Sequence, residues 1–350
     1  MSSILTGVVK VYSRKAGFVS HPAKNRFSDR TVPLGGGVAI FTTLVLFIVP
    51  ATIAIKFFPA QLKFLFETAN IELADFLAKV NQLIVIVLSA LVLLALGLWD
   101  DRKHLGPFFK LVVQLAVALS AALLADVRVE FFIENRLITS VLSAFWIVLI
   151  INAFNFLDNM DGLSAGIAAI ASSILFAAAA VSGQVFVGGL AIVLAGTLLG
   201  FLVFNFPPAK IFMGDAGSLV VGFFVATLTL RTTYYREAQS GRWYAVLIPL
   251  LVMAVPLYDF ISVTMLRISQ GKSPFVGDTQ HFSHRLIKRG LTDTQTVLTL
   301  YLATLCTGFG AIFLNQVNPV GAILIFTQTF MILAIIAILE NTGKNDKSGI

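Results

Sequence analysis

Apolar residues in this chain come in long unbroken blocks, unlike the alternating or three-to-four patterns of a soluble fold. Five stretches carry no charged residue: Leu34 to Ile55, Leu83 to Trp99, Leu137 to Leu157, Gly162 to Ala209 and Thr294 to Leu339. A helix needs about 20 apolar residues to cross the hydrocarbon core of a bilayer. The first three stretches are therefore single spans. The last two are each long enough for a pair, and each breaks at a plausible turn, Ser182-Gly183-Gln184 in one and Asn315 to Pro319 in the other. Taken in order, the blocks predict crossings centred near residues 6, 45, 91, 117, 147, 173, 196, 224, 254, 304 and 329. The first is the weakest, because Met1 to Tyr12 is short and contains Lys10. The expected fold is an all-α polytopic bundle of 10–11 transmembrane helices, a single domain over residues 1–350 without a fixed-period repeat or low-complexity segment.

Composition agrees with this pattern: 57% of residues are hydrophobic and 12% charged, against about a quarter charged in a soluble domain. The net charge of +7 is spread over short loops between apolar blocks and forms no stripe, which excludes nucleic acid as the expected partner and points to the lipid bilayer. Placing the loop of residues 13–33 in the cytoplasm puts the segments near 100–110, 157–163, 207–217, 267–294 and the C-terminus on the same side. With Lys10, these segments hold 17 of the 25 basic residues, the bias the positive-inside rule requires. The single cysteine, Cys306, sits in an apolar span where packing is its expected role. No signal peptide is expected from the first residues.

Four polar clusters fall on that one face. Trp99-Asp100-Asp101-Arg102-Lys103-His104-Leu105 ends a span with two adjacent acids, opposite the negative end of the helix dipole, so a cation is needed nearby. Paired carboxylates suit a hard divalent cation, although a solvated interfacial turn reads equally well from this segment alone. Asn152, Asn155, Asp158 and Asp161 recur every third residue, so neighbours in the series share a helix face and form a polar row running from within the membrane to its surface. Such residues at membrane depth line a cavity or a site. Gly214-Asp215-Ala216-Gly217-Ser218, after Asn205-Phe206-Pro207-Pro208, opens a helix whose free N–H groups favour phosphate, with Asp215 able to hold a metal; as a bare pattern it is also an ordinary glycine-rich loop. Arg267 to Asp293 is long and basic, with Ser273-Pro274-Phe275, Asp278, His281, His284, Arg285, Lys288 and Arg289. Two histidines without a cysteine make a poor zinc site, so an anion clamp or a lipid-facing basic patch is expected. Asp259 is a lone carboxylate inside the ninth span, able to pair with a loop cation or support the site.

Together these are parts for phosphoryl transfer, which works by positioning and charge neutralisation. Their order and spacing resemble the polyprenyl-phosphate N-acetylhexosamine-1-phosphate transferase family over nearly the whole chain. Family motifs are matched at Asp100, Asp101, Leu105 and Lys110, at Asn152 through Leu163, at Phe212 to Ser218, and in the Ser-Pro-Phe and His-x-x-His elements of residues 273–284. Pro33-Leu34-Gly35-Gly36 approximates a further motif but lacks the basic residue usual between Pro and Leu. Asn159 stands where glycine is usual, and Phe282-Ser283 separate the histidines.

The resemblance implies transfer of a sugar 1-phosphate from a UDP-sugar to undecaprenyl phosphate, with release of UMP and a need for Mg²⁺ or Mn²⁺. It implies Asp215 as leading metal ligand, with Asp100 beside it, and catalytic roles for Asp100, Asp101, Asp158, Asp161, His281 and His284. It implies substrate contacts from Asn152, Asn155, Asn205, Gly214, Gly217, Ser218, Arg285 and Lys110. The expected location is a bacterial cytoplasmic membrane with the active cleft on the cytoplasmic face, with a homodimer left open. The histidine loop resembles the branch using UDP-N-acetylglucosamine more than the branch using a muramoyl-pentapeptide nucleotide. The rival from another class is a secondary transporter, but transporters place their acids near the midplane between repeats, and here they gather at one face.

Overall fold

Long apolar blocks in lipid must bond their own backbone groups, and helices do so within one segment. The computed structural model describes residues 1–20, 31–58, 61, 73–129, 133–232, 243–273 and 281–341. A short helix α1 (Ser2–Lys15) leads through paired strands β1 (Val19–Ser20) and β2 (Val32–Pro33) into α2 (Gly36–Phe57). The long helices α3 (Leu73–Lys103), α4 (Pro107–Leu124), α5 (Arg136–Leu157), α6 (Leu163–Val181), α7 (Val185–Asn205) and α8 (Gly214–Arg231) follow. A 3₁₀ turn (Trp243–Leu247) with α9 (Ile248–Val252) joins α10 (Ala254–Ser269); then come the short α11 (Phe282–Ile287) and two long helices, α12 (Asp293–Phe313) and α13 (Pro319–Asn341).

Among the described residues nine helices are long and apolar enough to cross a membrane, and the 3₁₀ turn with α9 joins α10 in a pair bent by 66° that makes ten if it is counted as one broken span. The all-α polytopic bundle is therefore as expected, and both predicted hairpin turns fall where helices break, between Val181 and Val185 and between Phe313 and Pro319. Two details differ. The crossing expected near residue 6 is α1, whose 14 residues reach about 21 Å against a core of about 30 Å. It packs on α7, where the Ser2 hydroxyl donates to the Thr197 carbonyl at 2.6 Å. The ninth crossing is not one straight helix, and Asp259 sits just past its bend.

Helix α8 is the centre of the bundle. It has the lowest mean hydropathy of the nine, 1.2, yet 83% of its spanning window is buried; α13, at 2.6, is only 17% buried. A helix wrapped by other helices can carry small and polar residues that a lipid-facing helix cannot. Its neighbours come very close because small residues meet at the contacts. A Cβ on Gly37 of α2 would lie 2.3 Å from the Gly217 nitrogen, one on Gly97 of α3 would lie 2.3 Å from the Ala216 Cα, and one on Gly222 would lie 2.8 Å from the Ile151 Cα of α5. The first turn of α2 also docks here: the N–H groups of Gly36 and Gly37 donate to the carbonyls of Phe212 and Met213, each at 3.0 Å. The first turn of α8 is thus fixed from three sides at the bundle end where α3 and α5 finish.

Gly97→Ala is expected to destabilise the protein by about 1–3 kcal/mol, because backbone must move to admit the methyl group. Gly189→Ala, whose Cβ meets nothing within 4 Å, is the control and leaves the thermal transition of the detergent-purified protein where it was.

Candidate active site

The end of α3 supplies the two acids, and they serve different partners. Asp100 is buried at 5% exposure; one oxygen accepts the Leu105 N–H at 2.5 Å and the other is 2.6 Å from Lys110 Nζ on α4. Lys110 is the cation that the acidic helix end requires. Asp101 turns to α8 and accepts the N–H of Asp215 at 2.9 Å and of Ala216 at 3.3 Å. Two N–H groups at the start of α8, where phosphate was expected, thus meet a carboxylate from another helix, and Asp101 serves as their cap. Gly214 makes room for it: its φ is +70°, and a Cβ there would sit 2.7 Å from an Asp101 carboxylate oxygen.

Asp215 follows in the first turn of α8. Lys110 Nζ lies 3.3 Å from its Oδ2, and the Asn155 amide donates to its Oδ1 at 3.2 Å and to the Ser218 hydroxyl at 2.9 Å. One lysine therefore bridges two carboxylates from α3 and α8, and the Asp215 side chain is the more open, at 29% exposure against 7% for Asp100. Asn152 lies one turn deeper on α5 and donates to Gln114 Oε1 at 2.7 Å. Gln114 was missed from the sequence, although a polar residue four positions after Lys110 in an apolar helix is a readable signal.

Other expected site residues hold the frame. Asn205 is 4% exposed, accepts the Gly162 N–H at 3.2 Å and donates to the Ile211 carbonyl at 2.9 Å. Asp161 accepts the Ala209 N–H at 2.8 Å. Both tie the α5–α6 turn to the loop before α8. Gly217, expected to contact substrate, is buried and packs against Gly37. Asp158 is half-buried at the end of α5.

The histidine segment approaches the same strip. Ser283 donates to Asn159 Oδ1 at 2.7 Å, so Asn159, the departure from the family pattern, joins two clusters. His281 meets the Phe156 ring edge-on at 5.6 Å, and the buried Arg267 guanidinium lies 4.9 Å from that ring's centre. His284 is buried beside His281. Arg285, expected to clamp an anion, is held by Glu340 at 3.0 Å and by the Ser262 hydroxyl at 3.0 Å, while Tyr258 donates to the same Glu340 at 2.8 Å. Nothing in the sequence pointed to Glu340 beyond its place as an acid closing an apolar run. Pro274, Phe275 and Asp278 lie outside the described residues. Among the described residues no group of three His, Cys, Asp or Glu side chains is placed to hold a metal by itself.

A membrane-embedded helical bundle that gathers carboxylates, amides and a lysine at one end defines a class of integral membrane transferase, and comparison with known proteins agrees. The pattern of glycosyl transferase family 4 matches residues 83–233, from α3 through α8. A Bacillus subtilis protein named probable undecaprenyl-phosphate N-acetylglucosaminyl 1-phosphate transferase is 31% identical over 347 residues, covering 97% of this chain and 88% of its own. A Mycobacterium tuberculosis decaprenyl-phosphate N-acetylglucosaminephosphotransferase is 28% identical, covering 97% and 86%. A Thermotoga maritima undecaprenyl-phosphate α-N-acetylglucosaminyl 1-phosphate transferase is 28% identical, covering 86% and 83%. The chain belongs to glycosyl transferase family 4, among the polyprenyl-phosphate N-acetylhexosamine-1-phosphate transferases, and is a multi-pass membrane enzyme.

Lys110→Met leaves Asp100 and Asp215 facing each other without their cation. Because Lys110 is 23% exposed, the expected stability loss is about 1–3 kcal/mol, below that of a fully buried pair. A thermal melt checks it, and the companion Asp100→Asn in the Lys110→Met protein is expected to recover part of the loss.

Proposed function

We propose that this enzyme transfers N-acetylglucosamine 1-phosphate from UDP-N-acetylglucosamine to undecaprenyl phosphate on the cytoplasmic face of a bacterial inner membrane, releasing UMP and opening the membrane stage of an envelope polysaccharide. The observation that carries this reading is the Asp100–Lys110–Asp215–Asn155 network at one end of the bundle. An acceptor held in lipid and a donor arriving from water meet at such an end. In the reaction an oxygen of the lipid phosphate attacks the β-phosphorus of the donor. The bond from that phosphorus to the bridging oxygen breaks, UMP leaves with that oxygen, and a diphosphate joins sugar to lipid. The names of the relatives support an N-acetylglucosaminyl group over a muramoyl-pentapeptide.

The donor set fits Mg²⁺. Asp100 and Asp215 converge on one cationic position, and Mg²⁺ is commonly held by one or two carboxylates, with substrate phosphate and water completing its shell. Asp215, the more open of the two, would be the main ligand and Asp100 its companion. The ion would supply neutralisation of diphosphate charge. Lys110 contributes a mobile positive charge next to the same oxygens, Asn155 sets the orientation of Asp215, and Asp101 keeps the helix start in place. Asn152, Asp158 and the strip leading to Asn159 offer amide and carboxylate partners to a nucleotide.

Purified protein in detergent with undecaprenyl phosphate, UDP-N-acetylglucosamine and Mg²⁺ is expected to release UMP. Chelation abolishes release, and Asp215→Asn lowers it at least about a hundredfold, the scale of losing one preorganised charge partner. Release with UDP-muramoyl-pentapeptide alone would reject the donor assignment. The cytoplasmic orientation is checked separately in Cys306→Ser cells: a cysteine at Lys103 is expected to be shielded from an impermeant thiol reagent outside, and one at Asn318, on the opposite bundle end, to be labelled.

A further inference from the structure

Asp259 belongs to none of the four polar clusters and is fully buried, at 0% exposure. An ionised carboxylate at such depth is costly unless both oxygens find donors. Here they do, and both donors lie at the start of the histidine helix. Oδ2 is 2.9 Å from His281 Nδ1, and Oδ1 accepts the Phe282 N–H at 3.1 Å. A carboxylate only accepts, so the ring nitrogen beside it carries a proton. The ring is fixed from other sides as well. Phe156 meets its edge, Arg267 covers Phe156, and the His284 ring stands 6.2 Å away. The following turn is anchored by Ser283 on Asn159, which lies in the turn just after α5, the helix that carries Asn155 to Asp215. Among the described residues nothing hydrogen-bonds Nε2 of His281.

We propose that Asp259 is a positioning residue for the transfer: its bond to Nδ1 fixes the proton and the ring plane of His281, so that Nε2 is the atom presented to the sugar-phosphate substrate. This role rests on the transferase reading above. It follows the general rule that the partner of one imidazole nitrogen decides what the other can do. The bend between α9 and α10 serves this purpose, because Asp259 sits on the re-aimed helix, which packs against α5 and α11.

The second bond of Asp259 makes the substitution informative. In Asp259→Asn the amide oxygen must stay on the Phe282 N–H, since the NH₂ group would meet another donor there. The NH₂ then faces Nδ1, which must accept, and the proton moves to Nε2. Protein labelled with ¹⁵N-histidine in nanodiscs, with His281 assigned by comparison with His281→Gln, is expected to show protonated Nδ1 in the wild type and protonated Nε2 in Asp259→Asn. UMP release by Asp259→Asn is expected to fall about a hundredfold in kcat, within the range for a misplaced proton-handling group, with little change in KM for the donor. In the His281→Gln background Asp259→Asn is expected to lower kcat no further, because a residue acting only through His281 has nothing left to position. A wild-type His281 protonated at Nε2 alone, or an equal loss from Asp259→Asn in both backgrounds, overturns the proposal. A wild type with the expected tautomer but no UMP release overturns the transferase reading and leaves the Asp259–His281 pairing intact.

Discussion

The backbone contact around the first turn of α8 is the constraint on which the rest depends. A helix start buried among other helices has N–H groups that no water reaches, so they need acceptors from the protein. Asp101 supplies them from the end of α3, and it reaches only because Gly97 and Ala216 let α3 and α8 touch. Gly37 and Gly222 bring α2 and α5 equally near. Three helix ends are thereby held at one place, and Asp215 cannot stand anywhere except beside Lys110 and Asn155.

That geometry gives the centre a particular electrostatic character. Two carboxylates share one lysine, which leaves the cluster formally negative, with the Asp215 carboxylate the more open of the two. Asn205 and Gly217 hold the loop and helix packing around this centre.

The histidine helix is built by a separate set of contacts from the C-terminal half of the chain. Asp259 holds its start, Ser283 ties it to Asn159, and Glu340 at the end of α13 holds Arg285. It meets the carboxylate centre through α5 and the turn that follows it: Asn155 on α5 serves Asp215, and Asn159 just past the helix end serves the histidine helix. The end of α5 and its following turn thus link two parts that are distant in sequence.

Much of the architecture was legible from the sequence because bilayer thickness imposes one length scale on every span. Charge-free blocks and their turns located the long helices, and parity placed all four polar clusters at one end. The need for a cation beside Asp100 followed from helix electrostatics, and Lys110 met it. What the sequence could not show was which partner each polar group would choose. Asp100 and Asp101 are adjacent in the chain, but successive residues on a helix point about 100° apart, so one faces α4 and the other α8. The 66° bend that carries Asp259 to His281, the α1 segment too short to cross, and the Glu340 contact all depend on which helices pack together. Hydrophobic length fixes where helices run, whereas hydrogen-bond partners are set by close approach between helices far apart in sequence, and only the assembled bundle decides that.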